Sequence, residues 1–108
     1  MPRVISGPAS IALRLIGSEI AQARRERGWS VEGLAERAGV TPVTVRRAER
    51  GAPTVAIGTV FELAALTGVP LFTTDPVALP KALATSRDRL ALLPQRVHEP
   101  RRAIDDAF

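Results

Sequence analysis

The chain of 108 residues has no cysteine and no tyrosine, and aromatic residues make up only 4% of it. Without cysteine, disulfide bonds and thiol chemistry are excluded. With so few rings, a hydrophobic core has to be built mainly from leucine, isoleucine, valine and alanine, which favours a bundle of helices over a sheet. The hydrophobic share of 45% suits one small domain with short appendages.

Other absences narrow the function. His98 is the only histidine and lies in a polar segment, so the sequence offers no metal-ligand cluster. No nucleophile–base pair, phosphate-binding glycine loop or carboxylate pair falls on adjoining elements, so we expect no enzymatic activity, no cofactor and no small-molecule substrate. Neither a transmembrane run nor a signal-peptide pattern is evident, which predicts a cytoplasmic protein that binds no membrane.

The charge that is present is mostly positive. The net charge is +4, and the basic residues are concentrated in residues 1–51 and again in residues 76–104. A basic block is commonly only a solvated face, but it is also typical of a surface that binds nucleic acid. The surrounding pattern has to decide between the two interpretations.

Residues 31–50, VEGLAERAGVTPVTVRRAER, have the spacing of two short helices folded over a tight turn. Ala35 supplies the small residue needed where the helices touch, and Gly39 supplies a residue that tolerates positive φ at the turn. Four residues are predicted to face inward together: Leu34, Ala38, Val45 and Ala48. Many proteins use such a pair of helices to place side chains in the DNA major groove.

Cap and stop signals place the other helices. We predict a first helix from Ser10 to about Arg27, a second capped by Ser30, a third starting at Thr41-Pro42 and ending at Gly51, and a fourth from about Ile57 to Thr67. Residues 69–74 suit a helix edge, a strand or a dimer contact. A further helix is expected to start at Asp75-Pro76, interrupted by Pro80 and capped again at Ser86.

These signals divide the chain into four parts. Residues 1–9 are predicted to be a disordered lead-in, residues 10–74 a helix-turn-helix domain, residues 75–93 a helical extension and candidate dimer contact, and residues 94–108 a flexible tail. The apolar residues that suggest a dimer contact are Leu71, Phe72, Leu79, Leu83, Leu90 and Leu93. They are equally compatible with completing the core of the monomer.

The outward side of the third helix supplies the candidate DNA contacts. An arginine can donate two hydrogen bonds to guanine, and a valine methyl can pack on a thymine methyl. Arg46 and Arg47 suit a base or a phosphate, with Arg46 slightly favoured as the base reader. The predicted DNA-binding residues are Ser30, Thr41, Pro42, Val43, Thr44, Arg46, Arg47 and Arg50.

Residues 13–69 resemble the Xre/Cro-type helix-turn-helix family through the segments GSEIAQARRERGWS, LAERAGV, TVRRAERG and LAALTGV. The resemblance implies an all-α, five-helix, lambda-repressor-like domain that binds a palindromic operator as a homodimer. It also implies a structural ion pair between Arg24 and Glu49. Two positions depart from the family: Val31 stands where glutamine is common, and Ala48 is smaller than usual, so that Trp29 or Phe61 has to fill space.

The segments GAPTVAIGTV, LAALTGV, LLPQRV and DDAF resemble those of HipB-like antitoxins. That resemblance implies an autoregulating antitoxin of a type II toxin-antitoxin system, partnered with a HipA-like serine/threonine kinase toxin. The alternative is a stand-alone Xre-type transcriptional repressor with no toxin partner, whose tail is only a solubilising extension.

The tail carries the candidate toxin contacts. It spaces single apolar residues along a charged stretch, a pattern that suits an extended segment which orders on a partner. The predicted partner-binding residues are Arg96, Val97, Arg101, Arg102, Ile104 and Phe108. The alternative is a disordered end that carries an aromatic residue by chance.

Overall fold

A computed structural model describes residues 4–100 of the chain. Within this part there are five helices and no strand, which confirms the predicted all-α fold. In chain order the helices are α1 (Gly7–Glu26), α2 (Val31–Ala38), α3 (Pro42–Glu49), α4 (Ile57–Thr67) and α5 (Ala78–Ala91). The chain divides into two compact units between Pro76 and Val77, so that α1 to α4 lie in the first unit and α5 in the second.

The core of the first unit takes one fully buried large side chain from each helix. These are Ile20 from α1, Leu34 from α2, Val45 from α3 and Leu63 from α4. All four are aliphatic, as the scarcity of aromatic residues requires. Ile57 does not contribute to this core, because it is 70% exposed at the first position of α4.

Helix α1 begins earlier than the sequence suggested. Its N-cap is Ser6, whose hydroxyl accepts a hydrogen bond from the Ala9 amide at 3.3 Å, and Pro8 lies in the first turn. The prediction of Ser10 as the cap was therefore wrong. Residues 7–9, which were expected to belong to a disordered lead-in, form the start of α1. A serine followed by a first-turn proline is the stronger start signal, since proline needs no donor there.

The two short helices of the central motif follow the predicted boundaries closely. The hydroxyl of Ser30 accepts from the Gly33 amide at 2.9 Å, and the hydroxyl of Thr41 accepts from the Thr44 amide at 3.2 Å. Between them, Gly39 ends α2 in the left-handed conformation, with φ at 71°. Gly39 thus forms the turn between the two helices, as the sequence spacing predicted.

Helix α5 runs without a break through Pro80. This proline occupies the third helical position, where a backbone amide would have no partner inside the helix, so its missing donor costs nothing. The predictions of an interruption at Pro80 and a second cap at Ser86 were wrong. No side chain of α5 is buried.

Residues 69–74 form neither a helix nor a strand, only an isolated bridge between Leu71 and Thr73. Val69 is buried and Leu71 packs against the core, so this segment helps to complete the first unit. Phe72 contrasts with them, because its side chain is 89% exposed and its backbone adopts a positive φ of 68°. Its ring forms a T-shaped pair with that of Phe61, at a centroid distance of 6.1 Å.

Helix α1 crosses the C-terminal end of α3 at backbone contact distance. A Cβ atom added to Gly17 would lie 2.4 Å from the Ala48 carbonyl oxygen and 2.6 Å from that of Glu49. One turn earlier on α1, the backbone of Arg14 lies against Gly51, where an added Cβ would come within 2.7 Å of the Arg14 Cα. The two helices can approach this closely only because both positions lack a side chain.

We expect Gly17→Ala to unfold or strongly destabilise the protein. The new methyl group would meet rigid backbone, and overpacking of this kind typically costs about 1–3 kcal/mol or more. Gly58→Ala is the matched control, because Gly58 lies in α4 with nothing within 4 Å of an added Cβ. The control should be neutral or slightly stabilising, by up to about 1 kcal/mol. Urea denaturation followed by circular dichroism measures both variants, and similar midpoints would contradict the close contact.

Candidate nucleic-acid interface

The burial of α3 determines which of its side chains face outward. Val45 and Ala48 are buried, which turns the opposite side of the helix away from the core. Val43 lies at the centre of this outward side, and its side chain is 60% exposed. Arg46 and Arg50 lie along the same side and are exposed, while Arg47 is half-buried.

The two neighbouring arginines of α3 are held toward opposite sides of the helix. Nη2 of Arg46 lies 3.0 Å from Oε2 of Glu32 in the first turn of α2. Nη2 of Arg47 instead donates to the hydroxyl of Thr54, in the loop that joins α3 to α4. Val43 is therefore flanked by two oriented guanidinium groups on the outward face.

Four of the predicted DNA-binding residues lie at the helix starts. Ser30 and Thr41 cap α2 and α3, and the hydroxyls of Thr41 and Thr44 lie 2.9 Å apart. Pro42 takes the first position of α3 and is half-buried. Arg50 is exposed and forms the C-cap of the same helix.

Behind this face, Arg24 of α1 and Glu49 of α3 form a bidentate ion pair. Nε of Arg24 lies 2.7 Å from Oε2, and Nη2 lies 3.1 Å from Oε1. Nη1 donates to the Trp29 carbonyl at 2.9 Å. The hydrogen bond with Glu49 raises the pKa of Arg24 above its ordinary value, because the carboxylate stabilises the charged guanidinium. Because Arg24 is only 7% exposed, it holds the helices together and does not reach the outward face.

Trp29 joins the first two helices to the core, as the sequence suggested. The indole packs against the buried cluster, and the guanidinium groups of Arg27 and Arg37 lie 5.4 and 4.0 Å from its ring centroid. Arg27 also donates to the Thr67 carbonyl at 2.9 Å, which ties the end of α1 to the end of α4. Val31 packs against the same cluster in place of a polar contact residue.

A family model for the helix-turn-helix matches residues 20–73, from the middle of α1 to just beyond α4. The chain belongs to the helix-turn-helix family. This match, together with the all-α fold, identifies a DNA-binding regulator of the Xre type with a lambda-repressor-like fold. No curated protein matches the chain in sequence.

The helix-turn-helix protein has two positioning contacts that the sequence reasoning missed. Glu32 and Thr54 hold Arg46 and Arg47, but neither was a candidate residue. The signal for Glu32 was weak, because a glutamate in the first turn of a helix is common for electrostatic reasons alone. Thr54 lies in a loop, and the spacing of residues in a loop does not indicate where a side chain points.

The candidate toxin-binding residues fall outside or at the end of the described part. Arg96 and Val97 are exposed, Val97 by 75%. Arg101, Arg102, Ile104 and Phe108 lie outside the described residues. In residues 4–100 there is no group of three metal-binding side chains, and none of the helices there is long and apolar enough to cross a bilayer.

We expect Glu49→Ala to destabilise the helix-turn-helix domain by about 3 kcal/mol, because the buried Arg24 charge would lose its carboxylate. Glu32→Ala is the matched control. It removes the carboxylate of an exposed pair, with side chains 48% and 64% accessible, and such pairs contribute at most about 1 kcal/mol. Thermal unfolding followed by circular dichroism compares the two variants. Equal losses would contradict the different burial of the two pairs.

Proposed function

We propose that this helix-turn-helix protein is the antitoxin of a type II toxin-antitoxin system. It represses its own operon by binding a palindromic operator as a homodimer, and it binds a HipA-like serine/threonine kinase toxin. The observation that carries the DNA-binding part is the outward face of α3, where Val43 lies between two oriented arginines. Val43 can meet a thymine methyl, and the arginines suit guanine edges and phosphates.

The operator is proposed to have two half-sites. One recognition helix of eight residues covers few base pairs, so affinity and specificity require a second copy related by two-fold symmetry. In proteins of this type the half-sites lie about 10 bp apart, centre to centre. The exposed Arg50 and the half-buried Arg47 add positive charge to the surface that approaches the phosphates.

The dimer contact is proposed to include α5. Leu83, Leu90 and Leu93 are 51%, 68% and 62% exposed, and apolar side chains at this density favour an interface over a solvated helix. Leu71 is a weaker candidate, because it packs against the core of its own unit. Phe72, with its ring 89% exposed, remains available to a second copy.

The toxin contact is proposed to lie in residues 94–108. Support comes from the spacing of Val97, Ile104 and Phe108 in the sequence and from the exposure of Val97. An extended segment of this kind binds through a few apolar anchors, with arginines adding charge-assisted contacts. Without a toxin partner, the same DNA-binding face would serve a stand-alone repressor. A kinase-like gene beside this one would favour the antitoxin over the stand-alone repressor.

Replacing both Arg46 and Arg47 with alanine should abolish the preference for the operator while leaving the helical circular dichroism unchanged, since neither side chain is in the core. The control is Arg87→Ala with Arg89→Ala, which removes the same charge from exposed positions of α5. Fluorescence anisotropy with the protein's own promoter duplex gives both affinities. Operator binding by the first variant at the strength of the second would rule out α3 as the recognition helix.

Deleting residues 94–108 should weaken binding to the adjacent kinase-like toxin by more than about thirtyfold, while operator binding stays within about twofold. A single dominant anchor typically accounts for 2 kcal/mol or more, roughly thirtyfold in affinity, so Phe108→Ala alone should reproduce most of the loss. Calorimetry with purified toxin measures the affinities. The double variant of Arg46 and Arg47 controls for indirect effects and should bind toxin normally. Unchanged toxin affinity after truncation would refute the proposed role of the tail.

A further inference from the structure

The exposed pair between Arg46 and Glu32 is not explained by stability. The two side chains are 48% and 64% accessible, and an ion pair this exposed contributes little to folding. A carboxylate beside a DNA-binding face also repels phosphate, so it weakens the general attraction between protein and DNA. Its presence at this place favours a role in discrimination between sequences.

The pair leaves most of the guanidinium group available. Within residues 4–100, Nη2 is the only nitrogen of Arg46 with a side-chain acceptor, the Oε2 of Glu32 at 3.0 Å. A bidentate contact to the O6 and N7 atoms of guanine needs two N–H groups on one edge of the guanidinium plane. Glu32 therefore restricts the rotation of Arg46 without occupying all of its donors.

Arg47 is held differently. Its partner, Thr54, is a neutral hydroxyl, so no carboxylate among residues 4–100 compensates the positive charge of the Arg47 guanidinium. The attraction of an arginine to phosphate is mainly Coulombic, whereas base recognition also requires a fixed orientation. The compensated Arg46 is thus the poorer phosphate ligand of the two, and its ion pair supplies the fixed orientation that base reading requires.

We propose that Glu32 is a positioning residue for sequence recognition: it orients Arg46 toward a base pair and suppresses its contacts with phosphate, which are left to Arg47. This proposal rests on the proposed DNA binding. It assigns a specificity role to a residue of α2 that need not touch DNA itself.

The first test compares Glu32→Gln with the parent protein on two duplexes of equal length, an operator selected from random DNA and a scrambled version of it. Affinity for the scrambled duplex should rise severalfold, because a repelling carboxylate is lost and Arg46 is freed. The ratio of operator to scrambled affinity should fall about tenfold, the scale of one bidentate base contact. Glu36→Gln is the control, since Glu36 is exposed one turn further along α2 and its loss changes the net charge equally.

The second test is a double-mutant cycle with Arg46→Ala. In that background Glu32→Gln should leave the affinity ratio within about twofold, because Glu32 has no arginine left to position. Repeating the selection with Glu32→Gln should relax the preference at one base pair in each half-site, the same one that Arg46→Ala relaxes. The proposal is overturned if Glu36→Gln lowers the ratio as much as Glu32→Gln, or if the effect of Glu32→Gln persists without Arg46.

Failure of the proposed DNA binding and failure of the proposed role of Glu32 give different results. If the parent protein selects no sequence from random DNA, the proposed function is wrong and the role of Glu32 falls with it. If the parent selects an operator and Glu32→Gln selects the same one with an unchanged affinity ratio, DNA recognition stands and only the role of Glu32 is rejected.

Discussion

The crossing of α1 over the C-terminal end of α3 is the contact on which the arrangement of the domain depends. Three positions on one stripe of α1 make it: Arg14 against Gly51, Gly17 against the carbonyls of α3, and Arg24 against Glu49. The first two bring backbone onto backbone, which leaves no room for α3 to slide. The third fixes the rotation of α3 through a bidentate ion pair. Because α3 is held so firmly from behind, its opposite face is presented in one orientation.

The arginines of this domain differ in how far their charge is compensated. Arg24 is buried and paired with a carboxylate through two nitrogens of its guanidinium group, while the third donates to a backbone carbonyl. Arg46 is exposed and paired through one nitrogen, and within residues 4–100 the side-chain partner of Arg47 is a neutral hydroxyl. Arg24 therefore has a structural role, whereas the charge of Arg47 is the more available to an anionic partner. Three identical side chains thus acquire different chemistry from their neighbours alone.

The sequence was informative where a local rule decides the structure. Helix-end chemistry predicts the caps at Ser30 and Thr41 and the left-handed Gly39. The same kind of signal predicts the limits of α2 and α4. Arg24 and Glu49 were paired through the family resemblance. No local rule would have placed them together, since they lie on different helices.

Where the prediction failed, contacts between distant residues or competing local signals decided the outcome. Helix α4, IGTVFELAALT, is apolar on nearly every side, so its pattern did not reveal that Leu63 is buried and Ile57 exposed. The importance of Gly17 depends on carbonyl groups more than 30 positions away. At α1 and α5 competing local signals decided the structure. Ser6 followed by Pro8 is a stronger helix start than Ser10, and a proline within the first turn of α5 does not stop the helix.

The setting of Trp29 gives the molecule a built-in optical probe. The chain has one tryptophan and no tyrosine, so its near-ultraviolet absorption and emission come almost entirely from a single indole. That indole lies at the junction of α1, α2 and the core, with the guanidinium groups of Arg27 and Arg37 close to its ring. Its emission spectrum therefore reports on one joint of the first unit, and changes there can be followed without any label.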